Sequence, residues 1–119
     1  MIRSKRAYEP ASSTDGYRVL VDRLWPRGLR KTEAHLDGWL KELAPSDDLR
    51  RWFHHEPDRF GEFRDRYERE LRGHRIELDA LARHGARRTV TLVYSSRDPV
   101  HNNAVVLAGV LRRRARDLR

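Results

Sequence analysis

Apolar positions are distributed along this chain in two ways, as near-continuous runs and as residues spaced three or four apart. The densest run is residues 89–111, TVTLVYSSRDPVHNNAVVLAGVL. Thr89, Val90, Thr91, Leu92, Val93 and Tyr94 are all β-branched, aliphatic or aromatic, the composition of a strand buried on both faces. A polar elbow follows at 95–103, and residues 104–111 then carry no charge, which predicts a helix covered on most of its surface. A buried strand feeding a buried helix is half of a parallel α/β unit. The loop that joins them is where such folds place their sites.

Upstream, residues 2–8 (IRSKRAY) and 17–21 (YRVLV) read as strands, separated by turn-forming residues 9–16. The second strand runs into DRLWPRG, residues 22–28, where Pro26 ends it and holds Trp25 extended. Thr32 reads as the cap of a helix in which Leu36, Trp39, Leu40 and Leu43 repeat at helical spacing; the alternative is an extended stretch over 38–43. Ser46 caps a short helix with Asp47 and Asp48 in its first turn and Leu49, Trp52 and Phe53 on its buried face. A longer helix over 58–71 turns Phe60, Phe63, Tyr67 and Leu71 inward. It aligns Glu62/Arg66, Asp65/Arg69 and Glu68/Arg72 four residues apart, with Gly73 as terminator. A further helix over 75–84 turns Ile76, Leu78 and Leu81 inward and ends at Gly85. Residues 112–119 form a basic tail. The pattern predicts a single compact α/β domain of about four mostly parallel strands with helices on both faces.

A length of 119 residues provides one core and not two. The absence of cysteine excludes disulfides, thiolate metal sites and a cysteine nucleophile. The first ten residues lack the apolar segment of a secretory signal, and residues 104–111 are too few to cross a bilayer. The expectation is a cytoplasmic protein without a membrane partner. Formal net charge is +8, and because lysine stands only at positions 5, 31 and 41, 23 of the 26 basic residues are arginine. Arginine forks suit phosphate and carboxylate. A GC-rich coding bias produces the same composition, and the charge is spread along the chain, not gathered in one stripe.

Three segments, DGYRVLVDRLWPRG (15–28), WLKELAPSDDLRRWFHH (39–55) and LVYSSRDPVHNNAVVLAGVL (92–111), resemble small bacterial proteins of domain-of-unknown-function family 488, in its YeaO-like branch. The resemblance covers nearly the whole chain. It implies a compact α/β domain with a mostly parallel sheet and no established activity. It also implies that residues 38–43 are extended, against their helical spacing. In longer members of the wider family the segment matching 94–103 carries cysteines and a His-Arg pair. Tyr, Ser and Asn occupy those places here, so thiol chemistry does not carry over.

If the strands at 17–21 and 89–94 run parallel, the loops that follow them share one edge of the sheet. Asp22, Arg23, Arg27, Tyr94, Ser95, Arg97, Asp98, His101 and Asn103 then form the candidate ligand-binding set. Arginines beside the N-terminus of the last helix make an anion site, since free N–H groups and the dipole add to their charge. The competing account pairs Asp22 with Arg97, or Asp98 with Arg23, as structural ion pairs. Asp98-Pro99 reads as the helix start, Asp as N-cap and Pro at N1, which puts His101, Asn102 and Asn103 in the first turn. His101 is then a general base or simply a capping residue.

His54-His55-Glu56 is rejected as a metal site. Adjacent helical histidines point about 100° apart and no ligand stands four residues away. Trp25, Trp39 and Trp52 have the chemistry to stack on bases, although core packing is the ordinary use of such residues. Ser95 and Ser96 lack the G-x-S-x-G setting of an exposed nucleophile. No cofactor is expected. The leading expectation is a site for a phosphate-bearing small molecule at the carboxyl edge of the sheet. Its rivals are a nucleic-acid-binding module using the arginines and residues 112–119, and a non-catalytic protein-interaction domain.

The placement of the central unit is testable. Val93→Ala or Leu107→Ala is expected to cost on the order of 1–4 kcal/mol in denaturant unfolding, as truncations in packed interiors do. A cost below about 0.5 kcal/mol at both positions places them on the surface.

Overall fold

In a computed structural model, which describes residues 1–118, strand β4 (Val90–Tyr94) is buried at every position and lies inside the sheet. Strand β1 (Ile2–Arg6) pairs on one side of it, with Ile2 opposite Val90 and Arg6 opposite Tyr94. Strand β2 (Tyr17–Leu20) pairs on the other side, with Tyr17 opposite Val90 and Leu20 opposite Val93. A two-residue strand β3 (Gly38–Trp39) completes the order β1-β4-β2-β3. All three pairings are parallel, so the carboxyl ends of β1, β4 and β2 come to one edge.

Alternation along the strands divides the interior in two. Val19, Val21, Leu92 and Tyr94 face the larger core, which is roofed by α2 (Asp47–Phe53), α3 (Phe60–Leu71), α4 (Arg75–Arg87) and α5 (Asn103–Asp117). Leu20 and Val93 face a smaller core filled by Ala7, Trp25, Leu29, Leu36 and Trp39. The second face is thus covered mainly by the chain between β2 and β3, whose helical content is one turn, α1 (Lys31–Ala34). Five helices around a four-stranded parallel sheet make this an α/β fold.

Asp15 ties the second face together. It is fully buried at the end of a capping-box turn whose Ser12 accepts from Thr14. Its carboxylate accepts from Lys5 of β1 (3.1 Å) and Arg18 of β2 (2.6 Å), and its carbonyl accepts from the Thr91 hydroxyl of β4 (2.6 Å). Arg18, itself 4 % exposed, also donates to the carbonyls of Ala34 and His35, which seats α1. Next to it, Gly16 has φ 63° and so little room that a Cβ would lie 2.2 Å from the Thr89 carbonyl oxygen. Only glycine serves there.

Several expectations are corrected. The helical spacing of Leu36, Trp39, Leu40 and Leu43 does not form a helix: α1 stops at Ala34, His35 turns left-handed, and β3 follows. Leu36 and Trp39 meet the small core from a turn and a strand, so burial and not a helical face sets their spacing. Lys41–Leu43 is a 3-10 turn. Ile76 is 82 % exposed, because Leu78, Leu81, Ala82 and Gly85 carry the buried stripe of α4. Gly85 does not end that helix; it lies inside it, where a Cβ would meet the Ile2 side chain at 2.1 Å. Gly73 sits in a 3-10 turn and terminates nothing by a left-handed turn. Of the three acid–base pairs on α3 only Glu62–Arg66 forms, while Glu68 reaches across to Arg113. The Ser46 cap forms as expected, its hydroxyl accepting from Leu49 N–H (3.2 Å). No helix among the described residues is long and apolar enough to cross a membrane.

The basic tail expected over 112–119 is also corrected for its described part, since α5 continues to Asp117; residue 119 lies outside the described residues. Arg112 donates to the carbonyl of Ile2 on the outer edge of β1, Arg113 pairs with Glu68 of α3, and Arg114 pairs with Asp79 of α4. Truncation after Leu111 removes the last turns and all three contacts. It is expected to cost about 2 kcal/mol or more in urea unfolding, given what charge-assisted bonds contribute and a discount for their exposure. An unchanged midpoint would make this segment a free appendage.

Candidate functional site

At the carboxyl edge of the sheet the chain leaves a cleft of about 750 Å³, walled by the loops after β1, β2 and β4 and by α2. The parallel arrangement creates it, because three strands end at one level and their loops diverge. Of the residues singled out from the sequence, Asp22, Arg23, Arg27, Ser95, Arg97 and Asn103 line the cleft. Tyr94, Asp98 and His101 do not. Tyr94 points into the larger core and is 4 % exposed, so burial, reinforced by the Glu9 charge, raises its hydroxyl pKa.

Asp22 is the fastener of the site. One carboxylate oxygen accepts from both the backbone N–H (2.9 Å) and the hydroxyl (2.7 Å) of Ser95, and the other accepts from the Asn103 amide (3.1 Å). Asn103 also donates to the Val21 carbonyl (2.9 Å). The end of β2, the loop after β4 and the start of α5 are thereby held together. Held by three donors, Asp22 positions the loop after β4 and the start of α5.

The ion pairs anticipated as the structural alternative do not form. Arg23 Nε donates to the Pro45 carbonyl (3.0 Å) and lies 3.9 Å from Asp47. Asp98 turns back on its own loop. Its Oδ1 accepts from Val100 N–H (2.9 Å) and His101 N–H (3.0 Å), and its Oδ2 meets His101 Nδ1 (2.8 Å). The His101 ring stands edge-on to Phe60 at 5.1 Å, outside the cleft lining. Asp98 therefore caps a separate turn, and the α5 cap is Asn102, whose Oδ1 accepts from Val105 N–H (2.9 Å). The helix begins one turn later than Asp98-Pro99 suggests, because both residues are good caps and the turn between them satisfies the first.

Two arginines that sequence reasoning missed complete the lining, Arg6 and Arg50. Arg6 ends β1 beside Tyr94, so placing β1 next to β4 in parallel register would have brought it to this edge. Its Nε donates to the Ser96 carbonyl (3.1 Å), and its guanidinium lies over the Tyr8 ring at 4.7 Å. Arg50 comes from α2, whose position over the strand ends has no local sequence signal. It reaches Asp47 (3.3 Å) through Nη2, while its Nε is buried without a partner.

The Asp98 turn makes a pH prediction. Hydrogen bonds from the His101 and Val100 N–H groups, then from the His101 ring, lower the carboxyl pKa to about 2. Since the folded value lies below the unfolded value of roughly 3.9, the stabilisation is complete above about pH 4 and is lost as pH falls toward 2. Asp98→Asn, which retains an acceptor oxygen, is expected to flatten the melting-temperature profile between about pH 4 and 2 relative to wild type. Parallel profiles would show that the carboxylate is not held by these bonds.

Comparison with known proteins places this geometry in a lineage. The family model described as "Inactive DUF488-N3 subclade" matches residues 1–118. The chain is 48 % identical over 111 residues to "Uncharacterized protein YeaO" of Escherichia coli K12, covering 93 % of this chain and 96 % of that one. It is 44 % identical over 110 residues to "Uncharacterized protein Mb3100c" of Mycobacterium bovis and, equally, to "Uncharacterized protein Rv3073c" of Mycobacterium tuberculosis, with 92 % of each chain covered. No solved structure matches. The chain belongs to the DUF488 family and is YeaO-like.

Proposed function

We propose that this protein is a binding module whose cleft at the carboxyl edge of the sheet takes a phosphate-bearing small ligand. The observation that carries the reading is the charge of the lining, where five arginines meet one carboxylate. Clustered guanidinium groups repel one another unless acids or a bound anion offset them.

The surroundings agree in sign. Arg6, Arg23, Arg27, Arg50 and Arg97 line the cleft against the single carboxylate of Asp22. Arg6 and Arg23 are anchored to backbone carbonyls through Nε, which leaves the forked Nη pair of each for bidentate capture of an oxyanion. The Ser96 hydroxyl oxygen accepts from Asp98 N–H (3.2 Å) and keeps its own proton to donate. Asn102 and Asn103 bring the N-terminus of α5 to the same cleft, where the helix dipole favours negative charge.

Binding without chemistry accords with the engaged acceptors of Asp22 and with the family description. The nucleic-acid alternative, which leaned on residues 112–119, is weakened by the commitment of Arg112, Arg113 and Arg114 to the body of the domain.

Phosphate is expected to raise the melting temperature of the wild type more than chloride at matched ionic strength. Phosphate also strengthens burial without binding, so the comparison includes Arg23→Ala/Arg97→Ala. Loss of two charge-assisted partners is expected to weaken phosphate affinity about tenfold or more. An equal gain in wild type and double variant would mean that no anion site exists here.

A further inference from the structure

We infer that the ligand is a phosphate ester carrying a flat aromatic group, of about the size of a nucleoside monophosphate, and not a bare oxyanion. This deepens the anion-binding reading above and rests on it.

The first ground is size. A cleft of about 750 Å³ lies within the roughly 300–1,000 Å³ that accommodates a whole small organic ligand. A lone phosphate would leave most of that space to water.

The second ground is the chemistry of the rest of the lining. The cleft that gathers the arginines is also lined by Tyr8, Leu24, Trp25, Phe53 and Phe63. Phe53 and Phe63 stack at 4.3 Å with an interplanar angle of 23° and are almost fully buried, so they form a rigid floor and leave the apolar contact to Trp25, Leu24 and Tyr8. Trp25 is fixed as well, its Nε1 donating to the Leu29 carbonyl (2.6 Å) and its ring set edge-on to Trp39 at 5.5 Å. Leu24 and Tyr8 remain 56 % and 41 % exposed. Concave apolar surface beside a charged cluster suits a ligand that is itself half apolar, whereas a hydrated inorganic anion gains nothing from it.

The third ground is the pairing of Arg6 with Tyr8. A guanidinium lying over a tyrosine ring at the cleft wall is the arginine–aromatic platform on which nucleobases stack. Asp22 is the one carboxylate of the lining against five arginines, so the net positive charge disfavours a cationic head group.

Calorimetric titration of the full-length protein with inorganic phosphate, ribose 5-phosphate, adenosine 5′-monophosphate and adenosine tests this directly. The monophosphate nucleotide is expected to bind at least about fivefold tighter than ribose 5-phosphate, the lower end of what base–aromatic stacking contributes. Ribose 5-phosphate is expected to bind about as well as phosphate, and Arg23→Ala/Arg97→Ala is expected to lose the nucleotide. Equal affinities for ribose 5-phosphate and the nucleotide would overturn this inference and leave the anion site standing. Adenosine binding as tightly as its monophosphate, or no binding of any phosphate compound, would overturn the anion reading itself. Nucleotide binding that survives the double variant would overturn the assignment to this cleft.

Discussion

Strands β2 and β4 pair in parallel from Tyr17–Val90 to Leu20–Val93, and a carboxylate stands beyond each end of that pairing. Before β2, the buried Asp15 carboxylate gathers Lys5 and Arg18, and its backbone carbonyl takes the Thr91 hydroxyl. After it, Asp22 gathers Ser95 and Asn103. Parallel strands have no hairpin turn to fix their register. The two aspartates do that work here, Asp15 through carboxylate and carbonyl and Asp22 through its carboxylate, holding strands that are distant in sequence at a common offset. Burying an ionic cluster such as that of Asp15 adds little net stability, since desolvation offsets the attraction, but leaving any member unpaired is expensive. Such a cluster specifies register more than it strengthens the fold. The lowered pKa of Asp15 reflects the same balance: burial alone would raise it, and bonds from Ser12, Lys5 and Arg18 outweigh burial.

The asymmetry of the two cores follows from this frame and opens the cleft. Four helices roof one face, while the other is covered by a single-turn helix and the loop bearing Trp25 and Leu29. β2 ends at Leu20 and Pro26 bars a later strand, so the Asp22–Gly28 segment folds over the small core and carries Arg23 and Arg27 to the rim. Trp39 fastens it from below by donating its indole N–H to the Asp22 carbonyl (2.7 Å). On the opposite wall, Ser46 binds Glu70 through both N–H and hydroxyl (2.8 and 2.6 Å), which fixes the start of α2 against α3 and so places Arg50. The cleft walls are therefore held by buried or partly buried bonds, not by mobile loops.

What could be read from the sequence was whatever depends on local composition. The strand–elbow–helix unit at 89–111, the Ser46 cap and the arginines that follow β2 and β4 are all legible, because burial on both faces and capping leave residue-level marks. What could not be read depends on neighbours distant in the chain. Leu36, Trp39, Leu40 and Leu43 show helical spacing, yet a turn, a two-residue strand and a 3-10 turn satisfy the same burial once the small core exists. Residues 112–119 read as a basic tail until β1, α3 and α4 supply Ile2, Glu68 and Asp79 as partners for Arg112, Arg113 and Arg114. Asp98 and Asn102 are equally plausible caps, and only the intervening turn decides between them. Arg6 and Arg50 reach the cleft solely through strand order and helix packing.

The acids near the cleft explain why its arginines keep an excess of positive charge. A cluster of guanidinium groups ordinarily draws carboxylates, since like charges at close range destabilise the compact state. Here the neighbouring carboxylates face other work: Asp22 holds the Ser95 backbone and Asn103, and Asp98 holds the N–H groups of Val100 and His101. Asp47 alone faces Arg23 and Arg50, at 3.9 and 3.3 Å from a half-exposed position where water screens it. Arg6 and Arg23 are instead steadied by the neutral carbonyls of Ser96 and Pro45, which fix the side chains without cancelling their charge. An architecture meant only to bury structural ion pairs would turn its acids toward its arginines. This one turns them toward the backbone, and the positive charge stays open to the cleft.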